Sequence, residues 1–181
     1  LGALQPLYAM DTCGCMGASI PYALGMEKAG VKNKVVAVIG DSTFYHSGIT
    51  GLVDVVTSGA ATTVIILDNG TTAMTGHQNH AGGIIKIEAL LKGLGIEQVL
   101  SCDTYSQERL TGLVREALKT PGISVVIARH PCMLKFTRDQ QKKPGYVQKH
   151  ISIDPGTCTR AHLCIEKFGC PSFVRNPDGS V

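Results

Sequence analysis

Two short segments carry residue types that can do chemistry together: Gly40-Asp41-Ser42-Thr43 and Asp68-Asn69-Gly70-Thr71-Thr72. A carboxylate, an amide oxygen and a nearby backbone carbonyl form a hard oxygen set. Mg²⁺ favours such a set when phosphate oxygens complete its octahedron. Glycines beside these residues let the backbone come close to a ligand. Asp, Asn and Gly are also the usual turn formers after strands, so the residues alone read equally well as a cation site or as turns. Familiar phosphate loops do not compete. There is no Gly-x-x-x-x-Gly-Lys-Ser/Thr loop and no Gly-x-Gly-x-x-Gly after the first apolar run, which demotes nucleotide and NAD chemistry.

These segments need a scaffold that brings them together. Residues 35–39 (VVAVI) and 63–67 (TVIIL) are continuous apolar runs, the pattern of buried parallel strands. Between them, residues 47–58 place Ile49, Leu52, Val53 and Val56 at helical spacing, with Ser47 as the expected N-cap. A right-handed strand–helix–strand unit then sets Asp41 and Asn69, 28 residues apart, at the carboxyl ends of neighbouring strands. Open parallel sheets bind their ligands at those ends. Helices are expected over 16–29 (closed by Gly30), 87–94 and 107–118, and a third buried strand over 124–128 (SVVIA). The alternation predicts an α/β fold, a doubly wound parallel sheet. Residues 138–146 turn polar and basic and read as a solvated linker, followed by a small cysteine-bearing tail.

A chain of 181 residues suits one α/β domain and a short appendage. The 17 Lys+Arg against 14 Asp+Glu give only +3, scattered along the chain, which argues against nucleic-acid binding. No apolar run nears the ~20 residues of a membrane span and no signal peptide opens the chain, so a cytoplasmic protein is expected. The opening Leu1 and the closing Asp-Gly-Ser-Val read as truncations of a longer protein. Seven cysteines without an export signal point to reduced thiols, cofactor ligands or buried small residues. Cys13, Cys15, Cys102 and Cys132 are spread through the chain, whereas Cys158, Cys164 and Cys170 crowd the tail.

Gly-Asp-Ser, a helix, a strand and then Asp-Asn-Gly-Thr-Thr-Ala-Met-Thr-Gly resembles the diphosphate–metal signature of thiamine-diphosphate enzymes. The stretches DTCGCMGASIPYALGMEKAG, VIGDSTFYHSGITGL and ILDNGTTAMTGHQ resemble the 2-oxoacid:ferredoxin oxidoreductases of the indolepyruvate type, over roughly residues 1 to 135. The resemblance implies a thiamine diphosphate (diphosphate/Mg-binding) domain over 1–137, a linker over 138–149 and a partial ferredoxin-like segment over 150–181. Carried over by position, Asp41 and Asn69 would hold Mg²⁺ through side-chain oxygens and Thr71 through its carbonyl. Gly17 would lie along the cofactor at a helix start, with N–H groups free for phosphate. Gly40, Ser42, Thr72, Met74 and Thr75 would complete the cofactor pocket. Ser42 stands where many thiamine enzymes have Gly, but the indolepyruvate group shares the Ser.

The activity so implied is oxidative decarboxylation of a 2-oxoacid, an arylpyruvate such as indolepyruvate, with the acyl group passed to coenzyme A and electrons to ferredoxin. The implied partners are a smaller second subunit of the oxidoreductase, ferredoxin, coenzyme A and the 2-oxoacid. The Glu that activates thiamine in such enzymes belongs to a separate pyrimidine-binding domain, so this piece is expected to be inactive alone. A non-redox thiamine decarboxylase or synthase, or a degenerate electron-transfer subunit, are the alternatives. His46, His77 and His80 lie near the candidate site in sequence. His77 could face substrate as a proton donor, but the ordinary loop reading outweighs it, and no residue is named catalytic.

In the tail, Cys158-Thr-Arg-Ala161-His-Leu-Cys164 followed by Cys170-Pro171 resembles a bacterial ferredoxin run. Ala161 stands where the second cysteine belongs, and the gap from Cys164 to Cys170 is long. A [4Fe–4S] cluster held by Cys158, Cys164 and Cys170 would lack a ligand, so a bound cluster is not expected on this piece.

Overall fold

The computed structural model describes residues 2–148 and 151–181. The expected junction between linker and tail, at 149–150, lies outside the described residues. The described chain groups into two compact units: Gly14–Lys143, and the described residues of Leu1–Cys13 together with those of Pro144–Val181.

The larger unit is a four-stranded, wholly parallel sheet. Its strands are β1 (Val36–Gly40), β2 (Thr63–Asp68), β3 (Val99–Asp103) and β4 (Ser124–Arg129), in spatial order β1-β2-β4-β3. The helices are α1 (Ser19–Lys28), α2 (Asp41–Thr43), α3 (Ile49–Thr57), α4 (Ile87–Gly93), α5 (Gln107–Lys119) and α6 (Met133–Gln141). Alternate residues of β1, β2 and β4 (Ile39, Ile66 and Ile127 among them) enter one core with Ile20, Leu52 and Leu91 from the helices. At roughly 1.5–3 kcal/mol per buried aliphatic side chain, this face is the main source of the unit's stability. Across the sheet, α5 lies against β3 and β4. There the Ser124 hydroxyl donates to the Ala117 carbonyl (2.9 Å) and meets the Thr63 hydroxyl at 3.0 Å.

The helix after β1 departs from expectation. Ser47 is not an N-cap. The chain turns helical at Asp41 directly from the extended Gly40, and runs without a break through α2, a π-helical turn (Phe44–Gly48) and α3. The Ile49 N–H donates to the Phe44 carbonyl five residues back, and the Ser47 hydroxyl donates to Thr43 O (3.2 Å) from inside this turn. The first helix starts at Ser19 rather than residue 16, because Gly17 has φ +92°, a left-handed conformation that precedes the helix. Strand β3 and helix α6 were not expected. Residues 138–141 of the predicted linker belong to α6, where Lys135 and Asp139 pair one turn apart at 3.2 Å.

Among its described residues the smaller unit has one helical turn, α7 (Leu163–Glu166), and the Cys170 N–H donates to the Cys164 carbonyl (3.0 Å). Among the described residues no helix is long and apolar enough to cross a membrane.

One lysine ties the sheet to its cover. The Lys34 ammonium, just before β1, donates to the carbonyls of Ala117 (3.1 Å), Thr120 and Gly122 (3.2 Å) at the end of α5. Burial draws its pKa below the usual lysine range, with Glu27 pulling the other way. A cation on the carbonyl end of a helix both satisfies orphan acceptors and meets the helix dipole. Lys34→Ala is expected to lower unfolding stability by about 1–2 kcal/mol. Urea denaturation, read as a lower midpoint at constant slope, measures it.

Candidate functional site

β1 and β2 are neighbours in register, with Gly40 opposite Leu67, so the segments that follow them emerge side by side. Asp41 begins the helix at the end of β1 and is 2% exposed. Its Oδ1 accepts the Ser42 N–H (2.7 Å), and its Oδ2 accepts the N–H groups of Gly70 (2.8 Å) and Asn69 (3.1 Å). The loop after β2 is thus fastened to the helix after β1 through one carboxylate. The Ser42 and Thr72 hydroxyls, 2.8 Å apart, make a second link.

The loop after β2 is closed on itself. The Asn69 Oδ1 accepts the Thr71 N–H (3.0 Å), while the buried Thr71 donates its hydroxyl to Gln78 O (3.1 Å). Thr72 N–H donates to Gln78 O and His77 N–H to Thr72 O. Asp41, Ser42, Asn69, Thr71 and Thr72 therefore come together beside Gly40, as the spacing predicts. Gly17 packs on the π-helical turn after Asp41, where a Cβ would fall 2.4 Å from Ser47 Oγ. Behind it, the first turn of α1 has neither a side-chain cap nor an acidic residue, and the buried Ser19 Oγ has no hydrogen-bond partner. Two expected residues are not gathered in. Met74 is 91% exposed, and the exposed Thr75 pairs its hydroxyl with the Gln78 side chain.

A cavity of about 450 Å³ opens beside Asn69 and Gly70, between the ends of β2 and β4, with Asp68, Arg129, Cys132 and Lys135 in its wall. Arg129 spans Asp68 (2.6 Å) and Glu88 (2.8 Å). Nothing in the spacing of these three residues announces that network, which exists because Asp68 and Arg129 are register partners.

Electrostatics test the fit to a cation. Burial is the main reason that the Asp41 carboxyl is held above its ordinary range. The N–H groups of Ser42 and Gly70 and the His80 ring work against it, and the neighbouring Asp68 carboxyl adds to the rise. The ionised form is therefore under-compensated by the protein's own groups, the condition a bound cation with anionic ligands relieves. The donor set of Asp41 carboxylate, Asn69 amide oxygen and Thr71 carbonyl is of the hard oxygen kind that fits Mg²⁺. The uncapped start of α1 behind Gly17 fits a phosphate. The tail offers three thiols, Cys158, Cys164 and Cys170, with Ala161 where a fourth would stand, one short of what a four-iron cubane takes.

Sequence reading placed His80 near the site but gave it no role. In the structure its Nε2 lies 3.1 Å from Asp41 Oδ2. No periodicity or motif signals this contact across 39 positions. His77 adopts φ +67° with a buried Nδ1 that lacks a hydrogen-bond partner.

Comparison with known proteins agrees with this geometry. Residues 2–128 match the family model described as thiamine pyrophosphate enzyme, C-terminal TPP binding domain. The chain is 36% identical to the indolepyruvate oxidoreductase subunit IorA of Archaeoglobus fulgidus over 96% of its own length and 29% of that protein's. It is 32% identical to the IorA subunit of Thermococcus kodakarensis over 98% of its length and 31% of that protein's. It thus spans under a third of these curated relatives. Among solved structures, the 2-oxoglutarate:ferredoxin oxidoreductase of Magnetococcus marinus superposes with TM-score 0.59 at 19% identity, covering 69% of this chain and 51% of that one. The thiamine diphosphate-dependent 4-hydroxybenzoylformate decarboxylase of Rhodococcus jostii superposes with TM-score 0.50 at 23% identity, over 64% and 23%. A buried carboxylate at a parallel-sheet edge, an uncapped helix start facing a glycine and a matching family model over most of the larger unit have one reading: the chain belongs to the thiamine pyrophosphate enzymes, as their C-terminal TPP binding domain.

Proposed function

We propose that the chain binds the diphosphate end of thiamine diphosphate through Mg²⁺, within an indolepyruvate-type 2-oxoacid:ferredoxin oxidoreductase. The observation that carries the metal reading is the buried Asp41 carboxylate, roofed by the loop that bears Asn69 and Thr71. The similarity to IorA subunits supports the choice of an aromatic 2-oxoacid as substrate. Asp41, Asn69 and the Thr71 carbonyl would hold the cation, and Gly40, Ser42 and Thr72 would stand beside it. The start of α1, behind Gly17, would present N–H groups to a phosphate. Met74 and Thr75 would meet the cofactor from the rim. When bound, thiamine diphosphate supplies the nucleophilic carbon and the electron sink for decarboxylation of a 2-oxoacid. This chain's residues hold and orient the charged end and exclude water from Asp41. In this reading the acyl group goes to coenzyme A, electrons go to ferredoxin, a smaller second subunit completes the enzyme, and the setting is cytoplasmic.

Asp41→Ala removes the one charged ligand. In the full-length protein, thiamine diphosphate affinity in Mg²⁺ buffer is expected to fall at least tenfold, roughly 1.4 kcal/mol, with Asn69→Ala acting in the same direction but less severely. Calorimetry showing unchanged binding in Asp41→Ala would refute the cation assignment. The substrate reading is tested by assaying the full-length protein and its partner subunit with coenzyme A and a viologen dye. Faster reduction with indolepyruvate and phenylpyruvate than with pyruvate is expected, and the reverse order removes the aromatic assignment.

The tail generates its own expectation. A four-iron cubane needs a thiolate on each iron, and Ala161 offers none. Ala161→Cys in anaerobically purified full-length protein is expected to add iron and acid-labile sulfide, with a new EPR signal on reduction. Two complete clusters in the unmodified protein would show that another residue fills the place of Ala161.

A further inference from the structure

After the loop closed by Gln78, the chain folds back over Asp41. His80 precedes the 3-10 turn Ala81–Gly83, and its Nδ1 accepts the Gly82 N–H at 2.9 Å. A ring nitrogen that accepts a backbone N–H carries no proton, so the proton of the neutral ring is on Nε2. That Nε2 is the atom 3.1 Å from Asp41 Oδ2, on a side chain 8% exposed. It makes no well-angled hydrogen bond, and approaches Oδ2 obliquely as a dipole beside a charge.

Tyr45 and Gly82 hold the ring there. Tyr45 lies against it with ring centroids 5.6 Å apart, and the Tyr45 hydroxyl anchors the following loop by donating to Ile85 O (2.6 Å). Gly82 leaves the space the ring fills, since a Cβ there would fall 2.5 Å from His80 Cε1 and 2.9 Å from Nδ1. The Asp41 oxygens are unequally served. Oδ2 meets Asn69, Gly70 and His80, while Oδ1 accepts the single N–H of Ser42.

We propose that His80 is a positioning residue for the cation site. Its neutral Nε2–H steadies Asp41 Oδ2, so that Oδ1 is the oxygen presented to the metal. The inference rests on the Mg²⁺ reading above. A neutral ring suits the task, because it gives the carboxylate direction without a charge that would compete with the cation.

The test titrates Mn²⁺, a paramagnetic stand-in for Mg²⁺, by EPR into the full-length protein with its co-purifying subunit and saturating thiamine diphosphate. If the unmodified protein binds no Mn²⁺, the cation reading fails and takes this proposal with it. Given binding, His80→Ala is expected to weaken Mn²⁺ affinity at least tenfold. His80→Gln, which keeps an N–H near the Nε2 position, should recover most of it. Gly82→Ala, which retains the imidazole but displaces it, should weaken affinity as His80→Ala does. Melting of the metal-free proteins reads any structural role separately, and should not follow this order. Native Mn²⁺ affinity in His80→Ala, or equal loss in His80→Ala and His80→Gln, overturns the proposal. Should His80→Ala not fold, ¹⁵N-histidine NMR of the unmodified protein decides. Nε2 should be the protonated nitrogen and should stay so when Mg²⁺ and thiamine diphosphate are added, whereas a change of tautomer on cation binding overturns the proposal.

Discussion

Placing the Asp41 carboxylate at the end of β1, almost wholly out of water, has a cost that the surrounding chain must offset. An ionised carboxylate moved from water into a protein interior loses several kcal/mol of solvation unless dipoles or a counter-ion replace it. Three backbone N–H groups and one imidazole meet it here, and each comes from a segment that must then be fixed in place. The helix has to start at Asp41 to aim the Ser42 N–H, and the loop after β2 has to cross over β1 to aim those of Asn69 and Gly70. These partners reduce the penalty without cancelling it, which is why the carboxyl remains above its ordinary range. In the proposed function a cation would offset the part of the buried charge that these partners leave uncompensated.

The same constraint explains which parts of the fold are legible in the sequence. β1, β2 and β4 announce themselves as unbroken apolar runs, although Val36 and Val38 on one face of the edge strand β1 are exposed, and the structure moves their bounds by only a residue. Asp41 and Asn69 fall at strand ends, and the parallel crossover brings them together without further information. Ser47 shows where this reasoning stops. Its type and position suggest a cap, but the helix is already under way, since the Asp41 site demands a helix start six residues earlier. The π-helical turn that results is a tertiary outcome and leaves no periodic trace. β3 was missed for a different reason: of VLSCD, only Cys102 is fully buried, so an edge strand with mixed residues carries no apolar run. His80 is the deepest omission, because its role depends on a loop closure that local sequence does not encode.

Cys15, Cys102 and Cys132 lie in the larger unit, and Cys13 falls with the tail cysteines in the smaller one. Cys102 is buried within the sheet as a small apolar side chain, whereas Cys158, Cys164 and Cys170 are half-exposed in the smaller unit. Spacing alone suggested a ferredoxin-like ligand run, and Ala161 marked the gap in it. Ala161 leaves that run one thiolate short of the four a cubane takes. A ligand set is a three-dimensional object, and three correctly typed residues in a row do not make one.

What this domain can and cannot specify follows from where its chemistry lies. In the proposed function the residues that Asp41 gathers would handle a cation and phosphate, the part of the cofactor remote from the reacting carbon. Two solved structures share this fold at 19% and 23% identity, a 2-oxoglutarate:ferredoxin oxidoreductase and a 4-hydroxybenzoylformate decarboxylase. Those two proteins are named for different compounds, so the shared fold by itself chooses no substrate. Substrate choice must come from groups that reach the 2-oxoacid side chain. Within this chain Met74 is exposed beyond the closed loop, whereas Asp41 and Thr71 are buried. In the proposed function the buried cluster would answer to the physics of holding charge, and the choice of 2-oxoacid would fall to groups outside it.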